Sequence, residues 1–111
     1  MLGEALGEQI LCWLESLPAF FRAGSYFFSH AGIRPGVSLA EQHRKDLLWS
    51  RAAYTSENVA KNVTLVHGHR EVPETSLDEF AVNIDTAAYK TGTLTALGLE
   101  GRRRWIVTAR I

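Results

Sequence analysis

Apolar residues recur at Leu2, Leu6, Ile10, Trp13, Leu14 and Leu17, the three- and four-residue spacing of a helix with one apolar face. Pro18 ends that pattern, and Ala23-Gly24 marks a turn after residues 19–22. Tyr26-Phe27-Phe28 is a short aromatic run that predicts a strand, and it feeds a glycine- and proline-bearing loop, Ser29 to Gly36. Residues 39–60 alternate between helical and loop-like patterns, with Asp46-Leu47-Leu48-Trp49-Ser50-Arg51 as the apolar part. Val63-Thr64-Leu65-Val66 is β-branched and predicts a buried strand running into His67-Gly68-His69. Phe80, Val82 and Ile84 predict a strand ending at Asp85. Thr93 to Leu99 and Trp105 to Ala109 predict two more, with Glu100-Gly101 as the turn between them. Turn signals between these three runs predict an antiparallel meander. No repeat, low-complexity stretch or linker divides the chain, so residues 1–111 read as one domain.

Composition narrows the function. Lys plus Arg and Asp plus Glu are 12 each, so the clustered positive field that a general nucleic-acid binder needs is missing. The one basic run, Arg102-Arg103-Arg104, precedes apolar residues and reads as a hairpin turn or strand end. Cys12 is the only cysteine, so no internal disulfide forms, which fits a reducing compartment such as the cytoplasm. Its place between Leu11 and Trp13 reads as core or near-core, not as a nucleophile. No apolar run reaches the roughly 20 residues of a membrane span. The N-terminus carries Glu4 and Glu8 with no basic region, which is not the pattern of a signal peptide.

Two segments share one design: an apolar strand, a histidine, then glycine. They are Phe28-Ser29-His30-Ala31-Gly32 and Val66-His67-Gly68-His69. A strand end projects side chains into the crevice at the sheet edge, and neutral imidazole ligates Mn, Fe or Zn. On spacing alone the histidines read either as a hydrogen-bonded loop pair or as part of a metal site, because two donors do not complete one. Arg51 reads either as a surface ion-pair partner or as an anion clamp. Asp85 and Asn83 read as structural, with side chains capping backbone groups of the turn. Trp49 and Trp105 read as core or rim aromatics. Tyr54, Arg34 and Arg70 are candidates for lining a groove.

Four motifs then occur in a recognisable order. Ser29-His30-Ala31-Gly32-Ile33-Arg34-Pro35-Gly36, Asp46-Leu47-Leu48-Trp49-Ser50-Arg51, Val66-His67-Gly68-His69 and Asn83-Ile84-Asp85-Thr86-Ala87 with Leu94-Thr95-Ala96-Leu97 cover residues 25–101. The chain resembles the C-terminal half of the calcineurin-like metallophosphoesterases, of the bacterial serine/threonine protein phosphatase type. The resemblance implies an α+β fold, namely half of a β-sandwich of mixed and antiparallel strands flanked by helices. It implies a metal-dependent phosphoester hydrolase in which two divalent ions, Mn foremost with Fe or Zn as alternatives, activate water against phosphorus. His30 and His69 resemble ligands of the second ion. Arg51 resembles the catalytic arginine that binds the substrate phosphate, and His67 resembles a neighbour that supports the ligands. The substrate class is a phosphorylated protein or small phosphoester.

The sequence departs from the family where most ligands should be. It contains no Asp-x-His, Gly-Asp or Gly-Asn-His. Arg70 stands where threonine is usual, and Ala88 where glycine is common. The chain is therefore expected to be a partial domain, inactive alone. A separate N-terminal half or a self-partner would cover its open sheet. The alternatives are a non-catalytic phosphate-binding module and one subunit of a split phosphatase.

Overall fold

The computed structural model describes residues 2–111. It is a mixed α+β structure with a four-stranded mixed sheet and a two-stranded antiparallel sheet.

The N-terminal apolar stripe forms two helices rather than the single one expected. α1 (Leu2–Leu6) and α2 (Glu8–Ser16) meet at Gly7, whose φ of 83° lies outside the helical region. Glycine occupies that region without a Cβ penalty, so the helix can break there. Neither helix has a buried residue: Trp13 is 60% exposed. Cys12 is exposed as well, which corrects its expected place in the core. The helical spacing was real, but none of the described residues buries that stripe.

β1 (Phe20–Ala23) and β2 (Tyr26–Ser29) form a hairpin around Gly24-Ser25, with Ala23 opposite Tyr26. β1 was expected only as a lead into the turn. β3 (Thr64–His67) pairs parallel with β2, and β4 (Ala81–Asn83) pairs parallel with β3, giving the order β1-β2-β3-β4. A parallel neighbour requires a crossover. Residues 30–63 supply the first, carrying a 3₁₀ turn at Leu39–Glu41 and helix α3 (Arg44–Trp49). This crossover packs on one sheet face and makes the core. Phe27 and Leu65 point into it from the strands, each 1% exposed, and meet Ile33, Leu47, Val59 and Val63.

After β4 come a short helix, α4 (Ala88–Thr91), and a hairpin of β5 (Thr93–Glu100) and β6 (Arg103–Arg110). The expected three-stranded meander is thus corrected. The strand at Ala81–Asn83 belongs to the parallel sheet, and only β5 and β6 pair antiparallel. Arg104 ties the hairpin to the sheet, donating to the Asp78 carbonyl and the Thr64 hydroxyl, both at 2.8 Å. The basic run accordingly lies at a hairpin turn and strand start, as its context predicted.

At its β1–β2 end the second sheet face is open among the described residues, whereas Val66 and Val82 on the same face are buried. Phe21, 63% exposed, and Phe28 sit between a trough of about 610 Å³ that reaches His30 and one of about 740 Å³ that reaches Leu99. Among the described residues β5 also has a free backbone edge. Ile111 donates to the Gly92 carbonyl at 3.0 Å, so the alternation of an antiparallel ladder turns the main chain of Thr95, Leu97 and Leu99 away from β6. No described helix is long and apolar enough to cross a membrane.

Candidate functional site

The parallel pairing of β2 with β3 decides where the histidines go. Both chains leave the sheet at the same end, with Phe28 level with Val66. His30 follows β2 by one residue and His69 follows β3 by two. The two loops are tied directly: the Gly68 amide donates to the His30 carbonyl at 2.7 Å. The imidazole centres of His30 and His69 lie 5.2 Å apart, with ring planes at 63°.

His69 has φ 71°, in the left-handed region that a non-glycine residue enters only when its surroundings hold it there. Asp85 does the holding. One of its carboxylate oxygens accepts the His69 amide at 3.0 Å, and the other accepts the Ala87 amide at 3.1 Å. Asn83 continues the scaffold, accepting the Asp85 amide at 2.9 Å and donating to the Arg70 carbonyl. Both residues therefore cap backbone groups of the turn, as the sequence predicted. Ala87, at φ 54°, takes the left-handed conformation that glycine favours, whereas Ala88 begins α4.

Trp49 ends α3 with its ring 66% exposed and edge-on to His69, 5.8 Å between centres. Arg51 lies two residues further on. Its carbonyl accepts from Arg70 at 3.0 Å, while its own exposed guanidinium has no hydrogen bond or ion pair among the described residues. The ion-pair alternative thus has no acid to support it.

His67 belongs to the other side of the strand end. It is buried, with its ring edge-on to Tyr54 at 4.8 Å, and Nδ1 lies 3.2 Å from the Gly68 carbonyl. Burial pushes its pKa below the ordinary value. The charge of Arg70 acts in the same direction, and the Gly68 carbonyl opposes both.

Tyr54 has a larger part than sequence reasoning gave it. Its hydroxyl accepts the Ile33 amide and lies beside the Ala31 carbonyl, both at 2.9 Å, so it grips the loop that carries His30, while its side chain also lines a groove of about 320 Å³ with His67 and Arg70. No local pattern signals this, because its partners lie 21 and 23 residues away.

The pair suits a metal in spacing but not in number. An ion about 2.1 Å from each ligating nitrogen lies about 3.2 Å from each ring centre, which sets two rings at a tetrahedral angle about 5.2 Å apart. Among the described residues, however, no group of three or more His, Cys, Asp or Glu side chains could hold a metal ion. Asp85, the carboxylate that meets the His69 backbone, is already engaged by two amides. No family model, curated protein or solved structure matches the chain.

Proposed function

We propose that this chain is the histidine-bearing half of a two-metal phosphoester hydrolase, of the calcineurin-like, serine/threonine protein phosphatase type. The observation that carries the reading is the 5.2 Å separation of His30 and His69 at the ends of adjacent parallel strands. These two imidazoles are the metal donors. Arg51, with no acidic partner among the described residues, is the phosphate clamp, its planar fork suited to paired phosphate oxygens. His67 supports the ligand loop from below. Divalent ions held there, Mn foremost with Fe or Zn as alternatives, supply the Lewis acidity of the reaction. The substrate is a phosphoprotein or a small phosphoester, met in the cytoplasm.

Two imidazoles leave most coordination positions to water and provide no bridging carboxylate. The remaining donors therefore come from a second polypeptide segment, and the open sheet face offers it a place. This favours a split hydrolase over a phosphate-binding module. A binding module has no need of a histidine pair at metal-ligand spacing.

Trp49 reports on the site, since its ring lies 5.8 Å from that of His69. Co²⁺ is expected to quench Trp49 fluorescence saturably in the wild-type chain and in a Trp13→Phe background. His30→Ala and His69→Ala should each abolish the saturable part. Quenching that survives both substitutions, or none at all, overturns the reading. With Mn²⁺ added, the chain alone should hydrolyse an aryl phosphate no faster than buffer. Turnover lost in His30→Ala would show a complete site and sink the split-hydrolase reading.

A further inference from the structure

We infer that Tyr54 is the positioning residue of the histidine pair, its hydroxyl fixing the His30 loop against the segment that carries Arg51. This rests on the proposed site only for its metal readout. The geometry stands without it.

One hydroxyl serves two chain segments. Tyr54 Oη accepts the Ile33 amide at 2.9 Å and lies 2.9 Å from the Ala31 carbonyl, 3.0 Å from the Ile33 carbonyl and 3.1 Å from Ser50 Oγ. A hydroxyl has one proton to give. Ser50 Oγ lies 3.0 Å from the Ile33 carbonyl as a donor and accepts the Ala52 amide at 3.3 Å. One assignment satisfies every group: Tyr54 donates to Ala31, and Ser50 donates to Ile33. The residues just after His30 are thus bracketed by two side chains that flank Arg51.

Gly32 makes the approach possible. Its φ is 99°, and a Cβ there would collide with the Tyr54 hydroxyl oxygen. The loop and the tyrosine fit only as a pair. The same glycine is also the loop's most permissive hinge. Without the hydroxyl, the Ile33 amide and Ala31 carbonyl lose a buried partner beside that hinge. Other ties on this loop are the Gly68 amide on the His30 carbonyl, the Ala31 amide on the Leu47 carbonyl, Ser29 Oγ on the Gly32 carbonyl and, past Ile33, the Gln42 side chain, which accepts the Arg34 amide at 2.8 Å and donates to its carbonyl at 3.0 Å. Between them, the Ala31 carbonyl and both main-chain groups of Ile33 are held by Tyr54 and Ser50.

Tyr54→Phe keeps the ring against His67 and removes only the hydroxyl. Val63→Ala serves as a control that weakens the core away from the loop. Two readouts are taken on the full chain: the cross-relaxation between the His30 and His69 ring protons without metal, and the Co²⁺ midpoint of Trp49 quenching. In Tyr54→Phe the ring-to-ring signal is expected to weaken and the midpoint to rise about tenfold. In Val63→Ala both should stay at wild-type values despite lower stability. Should Tyr54→Phe fail to fold, Ser50→Ala tests the same bracket and should shift both readouts in the same direction. An unchanged ring-to-ring signal in the folded variant overturns the inference, as does an equal change in Val63→Ala. If wild-type protein shows no saturable quenching, the metal reading fails, while the metal-free signal still decides the role of Tyr54.

Discussion

The two ends of this molecule's architecture contrast in how far their own sequence completes them. At the strand-end loops, main-chain groups find partners within the chain: Ala31 with Leu47, Ile33 with Tyr54, Gly68 with His30, and His69 and Ala87 with Asp85. On helix α2, the open part of the sheet face and the hairpin, Trp13, Phe21, Leu94 and Val107 remain exposed, and β5 has an edge unpaired among the described residues. The loops are fixed by their own chain, and the other region presents apolar side chains to solvent. Stability should therefore reside in the β2–β3–β4 core, with little of it in the N-terminal helices.

The largest expected effect tests that partition. Phe27→Ala empties a fully buried ring position and should cost about 3–5 kcal/mol. Trp13→Ala removes an even larger side chain from an exposed helix and should stay within about 0.5 kcal/mol. Urea denaturation followed by circular dichroism gives both values. Comparable losses would mean that the helices are covered in solution and that the contrast is wrong.

The sequence disclosed most of what depends on local pattern. Tyr26-Phe27-Phe28, Val63 to Val66 and the β5–β6 hairpin appear as strands because β-branched and aromatic runs are bounded by glycine turns. Asp85 was legible as a cap because it follows a strand and precedes small residues. Partner choice was not legible. Ala81-Val82-Asn83 is too short to state whether it pairs with β3 or β5. The parallel register of Leu65 with Ala81 is set by the core beneath it. Phe20 to Ala23 was hidden because its pairing comes from β2 rather than from its own periodicity. Cys12 and the apolar stripe misled for the converse reason, since amphipathic spacing announces a face to be buried and not what will bury it. The histidines could be paired as candidates from their motifs, but only the parallel β2–β3 register sets their rings 5.2 Å apart.

The open edge of β5 yields the next prediction. Ladder alternation leaves the Leu97 and Leu99 amides pointing away from β6, while those of Ala96 and Gly98 point toward it. In hydrogen exchange, Leu97 and Leu99 should exchange at least about tenfold faster than their two neighbours. Equal protection would show a strand already docked on that edge, and sedimentation would tell whether it comes from a second copy.

A smaller effect probes how much strain the built region holds. Ala87 sits at φ 54° with its backbone fixed by Asp85 and by α4. Ala87→Gly relieves the left-handed conformation but frees the unfolded chain. The net change should be a gain of at most about 1 kcal/mol. A loss in thermal denaturation would mean that the Ala87 methyl, 3% exposed, contributes more by packing than its backbone costs.

The smallest expected effect is on the pH dependence of stability, and it comes from His67. Burial lowers the folded-state pKa of this imidazole below the ordinary histidine value. The unfolded chain therefore binds a proton first as pH falls. Between the unfolded and folded pKa values the unfolded state carries more protons, and stability falls with pH across that window. The neutral ring's advantage is fully present above the unfolded pKa and is lost as pH drops through the folded one. Urea midpoints should thus decline from neutral pH into the acid range, and His67→Gln should flatten the His67 share of that decline. Acid-side carboxylates titrate lower and leave the upper part of the window to histidines. His30 and His43 are exposed, whereas His67 is the buried one, so the difference between wild type and variant isolates it. An identical slope in the two proteins would mean that water reaches the ring freely. The strand-end region would then be looser than its hydrogen bonds imply, and the contrast with the open face would narrow.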